Sequence, residues 1–388
     1  MAGKKATKIG KKREAAVLTE RKKLTASEQI RQLEEEIGKT KYNKKTQHAI
    51  GLMKAKLAML KERALARSAA GKARGDERFS IRKTGDGTAV LLGFPSVGKS
   101  TLLNKITNAK SEVAAYDFTT LSAVPGLMEY NHAKIQIIDV PGIVSGAAAG
   151  RGRGKEVLQM IRNADIILIL VDAMHPEHYG AMLKEIYETG VRINQKAPDV
   201  KIRKKERGGI GVGVTVKLTK IDKHTIADIA REMRLNNADI LVRDDIDTDQ
   251  LIDIIEGNKR YTKALTVVTK IDLIDEMRLK KIQEEVKPDV VVSAELGFGI
   301  EELKKAIFDR MGFIRIFLKE ISKQADLEEP LIMFKECIIR DVCEKLHKDF
   351  VDKFKFARVW GKSAKFGGQR VGIGHRLEDD DIVELHLK

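Results

Sequence analysis

The stretch GFPSVGKST at 93–101 constrains this chain more than any other. It fits Gly-x4-Gly-Lys-Ser/Thr and stands between a short apolar run, TAVLLG at 88–93, and a helix expected to begin at Lys99. A strand, a glycine-rich loop and a helix in that order present backbone N–H groups to a phosphate at a helix N-terminus. Gly93 and Gly98 let the loop close around phosphate oxygens, Lys99 is placed to reach the β and γ phosphates, and Ser100 offers a hydroxyl to Mg²⁺. Phe94, Pro95, Ser96, Val97 and Thr101 complete the candidate cradle. The alternative is a glycine-rich turn that binds nothing.

From Thr88 onward, β-rich runs alternate with helical stretches: TAVLLG, a helix after Lys99, AKIQIIDV, a helix after Gly154, DIILILVDA and a helix near Met182. That alternation predicts an α/β fold, a mostly parallel sheet with helices on both faces. The rhythm breaks at DVKIRKKERGGIGVGVTVKLTKID, where a Gly-interrupted strand pair, a helix from about Thr225 to Arg234 and then ADILVR suggest an inserted subdomain. It resumes with ALTVVTKID, a helix at 275–286, DVVVSA and a helix at 300–311. The last stretch, FIRIFLK to DIVELHLK, has several short strands around one helix and reads as a small separate α+β domain. Ahead of the sheet, TASE at 25–28 has capping-box spacing and opens a helix that fades near Gly38. A second helix spans about Lys44 to Ala70, with Ile50, Met53, Leu57, Leu60 and Leu65 at intervals of three to five residues. The two together predict a basic helical hairpin.

IQIIDVPG ends a strand with Asp139, placed to hold the Mg²⁺ shell, and with Gly142, whose N–H would meet a γ phosphate. Asp-x-x-Gly is weak alone and gains force from following the phosphate loop at the distance of one βαβ unit. A guanine base then needs a carboxylate for its N1 and N2, and the tetrapeptide TKID occurs twice, at 219–222 and 269–272. The second copy, with Thr269, Lys270 and Asp272, follows the apolar strand ALTVV. It precedes a helix, a strand and SAE at 293–295, where Ser293, Ala294 and Glu295 would offer a backbone N–H to O6. The first copy is followed by a helix and by acidic, irregular sequence, RDDIDTDQ. Topology assigns the base to Asp272 and leaves Asp222 to cap a helix in the insert.

At 388 residues and 43% apolar composition the chain can bury a sizeable core in several domains. Its net charge of +16 is unevenly spread: through Lys83 there are 24 Lys and Arg against 9 Asp and Glu, a balance of +15. Such a segment attracts a phosphate backbone without reading its sequence. Aromatics that would stack on bases are limited there to Tyr42 and Phe79, so a solvated helix face or an acidic regulatory protein stays open as a reading. The longest apolar run, IILILV at 166–171, is far below the ~20 residues of a membrane span. The basic start lacks the apolar core of a secretory signal. The expectation is a soluble, cytoplasmic monomer with no membrane partner. Cys337 and Cys343 lack metal-ligating neighbours and are expected to be reduced core thiols.

Together, GFPSVGKSTLLN, YDFTTL, DVPGIVSGAAAGRGRG, TKID and SAE resemble the Obg-like translation-factor GTPases, and among them the developmentally regulated GTP-binding protein (DRG) family of archaea and eukaryotes. The resemblance covers almost the whole chain. It implies a P-loop GTPase domain at 86–312 interrupted by a small α/β insert at 190–247, a basic helical region at 1–85, and a C-terminal β-grasp (TGS) domain at 313–388. It implies GTP and GDP as substrate and product, and Mg²⁺ held by Ser100, Asp139 and the switch I residue Thr120, with Thr119 the alternative. Lys99 and Gly142 would meet the reacting phosphate, SGAAAGRGRG would be switch II, and the ribosome or structured RNA would be the partner. Three departures matter. Ile143 stands where Ras-like proteins carry a water-orienting Gln, so hydrolysis is expected to be slow or to use another group, K⁺ near Ser96 or Arg151 and Arg153 in cis. Thr269 replaces the commoner Asn and leaves a hydroxyl for bracing the P-loop, and Glu295 replaces a frequent Lys in a loop whose base contact is a backbone one. The rival readings are an ATPase and an RNA-binding scaffold that holds nucleotide as a structural ligand.

Overall fold

Helix α1 (Ala26–Lys39) begins where a reciprocal pair of hydrogen bonds satisfies its free N–H groups: Thr25 Oγ1 accepts from Glu28 N at 3.3 Å, and Thr25 N donates to the Glu28 carboxylate at 2.7 Å. Helix α2 (Gln47–Ala69) returns alongside it, and Lys61 pairs with Glu34 at 2.8 Å. The computed structural model describes residues 25–41, 43, 46–69, 85–107, 124–140 and 160–388. They belong to two units, 1–75 with 197–259 and 76–196 with 260–388. Among the described residues no helix is long and apolar enough to cross a membrane.

The second unit starts with β1 (Gly87–Leu92), α3 (Lys99–Ile106), β2 (Val124–Tyr130), β3 (Ala133–Asp139), β4 (Ile166–Asp172), α4 (His178–Glu188) and β5 (Val191–Ile193). The chain then forms the insert: β6 (Val200–Lys204), β7 (Ile210–Val214), α5 (Lys223–Glu232), β8 (Ala238–Val242) and α6 (Thr248–Glu256). After it, β9 (Arg260–Thr269), α7 (Glu276–Val286), β10 (Val290–Val291) and α8 (Ile300–Met311) complete the sheet. The strand order is β10-β9-β4-β1-β3-β2, with β5 against the start of β9, and every pair is parallel except β2 with β3. β1 and β4 read as unbroken apolar runs because both faces are covered. Ala89, Leu91, Ile166, Leu168 and Leu170 share one core with α3 and α8; Val90, Leu92, Ile167, Ile169 and Val171 share the other with α4 and α7.

The C-terminal part comprises β11 (Phe313–Leu318), β12 (Leu331–Phe334), α9 (Ile339–Leu346), α10 (Asp349–Lys353), β13 (Phe354–Trp360), β14 (Gln369–Val371) and β15 (Asp381–Leu387). Its sheet runs β12-β11-β15-β13-β14, with β11 and β15 parallel to each other. Cys337 and Cys343 are buried in its core, and burial pushes the Cys337 thiol up to about 11, so it stays protonated and inert. Phe313 and Ile332 reach out of this sheet to complete the core shared by α3 and α8.

In the first unit, β8 is central, antiparallel to β6 and parallel to β7. Ile226, Ile229 and Ala230 of α5 and Leu251 and Ile252 of α6 form its core, and α2 joins them with Ala55 fully buried. This unit takes up the chain at Ala197 and keeps it to Lys259, later than the 190–247 expected for the insert. Val191–Ile193 pairs with β9 instead, and the acidic run after β8 supplies a helix: Asp247 Oδ1 caps α6 by accepting from Gln250 N at 2.8 Å. The docking face of α2 is Leu52, Ala55, Ala58 and Met59, one step round the helix from the Met53, Leu57 and Leu60 stripe. Gly51 lies on it too, and a Cβ there would stand 3.2 Å from Ile229 Cδ1. Small side chains let two helices approach closely, and a count of large apolar residues passes over them.

Asp222, the carboxylate of the first TKID copy, is the N-cap of α5, and its Oδ1 accepts from Thr225 N at 2.7 Å. The hydrogen bond from the Thr225 backbone holds this carboxyl below its usual range. Its stabilisation is therefore present above the unfolded value, roughly 4, and fades as pH falls through the lower folded value. Asp222→Ala should cost about 1 kcal/mol at pH 7. Thermal unfolding at pH 7 and pH 3 checks this: the gap between variant and wild type should shrink in acid, and a gap of equal size at both would remove the cap as its cause.

Candidate functional site

Strand register gathers the site. Leu91 pairs with Asp139, Leu92 with Ile169, Asp172 with Thr269, and Val291 with Val268, all between parallel strands. The loops after β1, β3, β4, β9 and β10 therefore leave the sheet along one edge, where open α/β sheets bind their ligands.

The loop after β1 turns through Ser96 at φ 64° and Gly98 at φ 94°, both left-handed. Gly98 is the N-cap of α3 and has no side chain to occupy that helix's free N–H groups, which stay available to an anion. Lys99 is buried, and its Nζ donates to Gly93 O and Phe94 O, each at 3.0 Å. Burial pulls the ammonium below the ordinary lysine range, and the Asp139 carboxylate opposes that pull. A desolvated cation at a helix N-terminus is complementary to phosphate. Beside it, Ser100 Oγ donates to Asp139 Oδ2 at 3.0 Å. The other oxygen, Asp139 Oδ1, is buried with no hydrogen-bond partner among the described residues.

At the end of β9, Thr269 is only 3% exposed and donates its hydroxyl to Val97 O at 2.8 Å, with Val171 O a weaker second acceptor at 3.3 Å. The second TKID copy is thereby tied to the phosphate loop. Lys270, at φ 59°, passes over Gly98 and carries its Nζ to Asp172 Oδ2 at 2.7 Å. The 3₁₀ turn Ile271–Leu273 then presents Asp272 exposed. After β10, the fully buried Ser293 donates its N–H to Phe298 O at 3.0 Å and accepts at Oγ from Leu296 N at 3.2 Å. That loop leaves Ala294 half-buried and Glu295 exposed. Gly299, at φ 75°, permits the closure, because a Cβ there would overlap Val291 O.

Phe94 to Thr101, Asp139, Thr269, Lys270, Asp272 and Ser293 to Glu295 thus lie along one edge, at the ends of β3 and β9, in the loops that follow the strands and in the first turn of α3. Thr120, its alternative Thr119, Gly142, Ile143, Arg151 and Arg153 lie outside the described residues. Two further contributions carry no motif. Asp172 anchors Lys270, and its only signal in the sequence is a carboxylate ending an apolar strand. His178 stacks on the Phe94 ring with centroids 4.4 Å apart, and His175 lies 5.3 Å from His178. With Pro95, Ser96 and Asp172 they line a cleft of about 350 Å³.

Residues 88–204 match the family model described as 50S ribosome-binding GTPase, 207–313 the C-terminal region of that MMR_HSR1 domain, and 314–387 the TGS domain. A GTP-binding protein of Methanocaldococcus jannaschii is 53% identical over 93% of this chain and 93% of its own. Developmentally-regulated G-protein 3 of Arabidopsis thaliana is 43% identical over 94% and 99%, and developmentally-regulated GTP-binding protein 2 of Bos taurus 37% over 93% and 99%. This chain belongs to the developmentally regulated GTP-binding protein family. It is a GTP-binding P-loop GTPase with a C-terminal TGS domain.

In this DRG GTPase one hydroxyl links the end of β9 to the phosphate loop. Thr269→Val removes it and strands a buried carbonyl, at a cost of about 1–3 kcal/mol. GDP affinity should fall by roughly five- to a hundredfold if that cost falls on the bound state, and Thr269→Ser should retain most of it. Titration with fluorescent GDP reads both; equal affinity in Val and Ser variants would mean that this bond does not hold the loop.

Proposed function

We propose that this GTPase is a Mg²⁺-dependent, guanine-specific switch that reads its base with Asp272 and acts on the translation apparatus. The carrying observation is the Thr269–Val97 hydrogen bond, which sets the second TKID copy beside the phosphate loop while the first is spent on capping α5. From there Asp272 accepts from N1 and N2 of guanine, and the loop of Ser293, Ala294 and Glu295 supplies a backbone N–H to O6. An adenine base lacks that N1–H and N2–H pair, which disfavours an ATPase.

Ser100 and Asp139 suit Mg²⁺, since both are hard oxygen donors and the buried Asp139 Oδ1 has no hydrogen-bond partner among the described residues. Held by these two and Thr120, the ion would neutralise charge on the transferred phosphoryl group. Lys99 balances the β and γ phosphates, and the Gly142 N–H holds a γ oxygen. Ile143 cannot orient the attacking water, so turnover is slow, and a K⁺ ion held near Ser96 would supply the missing positive charge. The translation role is supported by the +15 balance of residues 1–83 and by the ribosome-binding description of the matching family model.

Asp272→Asn should exchange guanine for xanthine preference, because an amide can donate to the extra carbonyl, and Asp222→Asn should leave guanine affinity unchanged. The reverse pattern would overturn the assignment. The same assay, read as phosphate release, should run faster in K⁺ than in Na⁺ or Li⁺, and release no greater than background with saturating Mg²⁺ and K⁺ would favour a scaffold.

The RNA contact has a separate test. Deleting residues 1–83 would strip α2 from the core of the first unit, so the cleaner deletion is 1–24, which removes nine Lys and Arg against two Asp and Glu and leaves α1 and α2 whole. Affinity for ribosomes or structured RNA should drop and its dependence on salt should flatten, as fewer counterions are released. GDP affinity should not change. An unaltered salt slope would take the contact away from this segment.

A further inference from the structure

Three side chains from two helices of the first unit converge on one point. His48 stands on α2, and His224 and Asp228 lie one turn apart on α5, hence on one face. His48 Nε2 is 2.9 Å and His224 Nδ1 3.0 Å from the same oxygen, Asp228 Oδ2, and the three atoms all lie within 4.8 Å of one another. The second oxygen, Oδ1, accepts from Arg231 at 2.5 Å, which fixes the rotation of the carboxylate and turns Oδ2 toward the imidazoles. The two rings have centroids 5.6 Å apart. Exposure rises from Asp228 at 20% through His48 at 41% to His224 at 79%, so the cluster is rooted in the protein and open on one side.

This differs from the contact of Lys54 on α2 with Asp249 of α6, an ordinary ion pair at 2.6 Å. Here two nitrogens that can each donate or accept are aimed at one anionic oxygen, and all three atoms lie within 4.8 Å of one another. A cation bonded to imidazole and carboxylate at ~2.0–2.1 Å in tetrahedral geometry sets its ligand atoms about 3.3 Å apart. The two imidazole–carboxylate distances, 2.9 and 3.0 Å, need to open by only a few tenths of an ångström to reach that spacing, and the two nitrogens already lie within 4.8 Å of each other.

We infer that His48, His224 and Asp228 form a binding site for one divalent transition-metal ion, Zn²⁺ by donor chemistry, with water in the fourth position. Two imidazoles and one carboxylate suit Zn²⁺ and its first-row neighbours over Mg²⁺ or Ca²⁺. Arg231 acts on the metal through Asp228, as a partner that orients a ligand. The ion would be bonded to α2 and α5 at once. It would pin the helix that follows the basic N-terminal segment to the insert, at a joint that already holds Gly51, Leu52, Ala55, Ala58 and Met59 and the Lys54–Asp249 ion pair.

The test uses the full chain, freed of metal by chelator and held in excess Mg²⁺ and GDP so that the nucleotide site is filled. Co²⁺ is titrated and its visible absorption followed, then displaced with Zn²⁺. One equivalent should saturate with the intense bands of a four-coordinate ion. His48→Gln and His224→Gln should each weaken binding on the order of 100-fold or more, since loss of a mere orienting partner already costs up to that. Zn²⁺ should raise the unfolding temperature of the wild type and not of the variants. His224 is largely exposed, so its replacement leaves the fold intact and keeps the comparison clean. Absence of saturable binding at micromolar Co²⁺, or affinity unchanged in His224→Gln, overturns the proposal.

Discussion

Parallel pairing of β1 with β3 and β4, and of β4 with β9, is the constraint on which the nucleotide edge depends. Parallel strands end at the same side of a sheet, so their following loops converge whatever lies between them in the chain. The buried faces of β1 and β4 alternate between two cores, so a slip of one residue would exchange every side chain between them. That penalty locks the register. It sets Asp139 level with Leu91, two residues before Gly93, and Thr269 level with Asp172.

With register secured, a few polar groups fix the loops. Lys99 bonds the two carbonyls that start its own loop, Ser100 bonds Asp139 across to β3, and Thr269 bonds Val97 from β9. Ser100 and Thr269 are short side chains that lose little rotamer freedom in making the contact, whereas the long, buried Lys99 side chain loses more and makes two hydrogen bonds. The phosphate loop and the start of α3 are held by one hydrogen bond toward β3 and one from β9, of which the Thr269–Val97 bond is buried, so its loss leaves a buried carbonyl.

The first unit obeys a different logic. Its three-stranded sheet is too small to bury a core alone, and α2 supplies the missing cover through Ala55 and its neighbours. Helix α2 is therefore part of the insert's core, whereas α1 packs alongside α2 and buries no residue of its own. Charge and packing in this region are carried by different faces of the same helix: Lys56 is exposed where Ala55 is buried.

Much of this was legible in consecutive residues. The unbroken apolar runs of β1 and β4, the capping box at Thr25, the glycine-rich loop and the different surroundings of the two TKID copies are local properties, because periodicity, caps and turns are written within a few residues. They sufficed for the α/β class and for the loops that carry the candidate site. Tertiary structure alone decided the rest: that Asp172 anchors Lys270, that His178 covers Phe94, that α2 docks by glycine and alanine, and that His48 meets His224 and Asp228. Each of these joins residues far apart in sequence, with about 180 positions between His48 and Asp228. No local pattern marks them, since a side chain's partner across such a distance is set by which surfaces pack together and in what register.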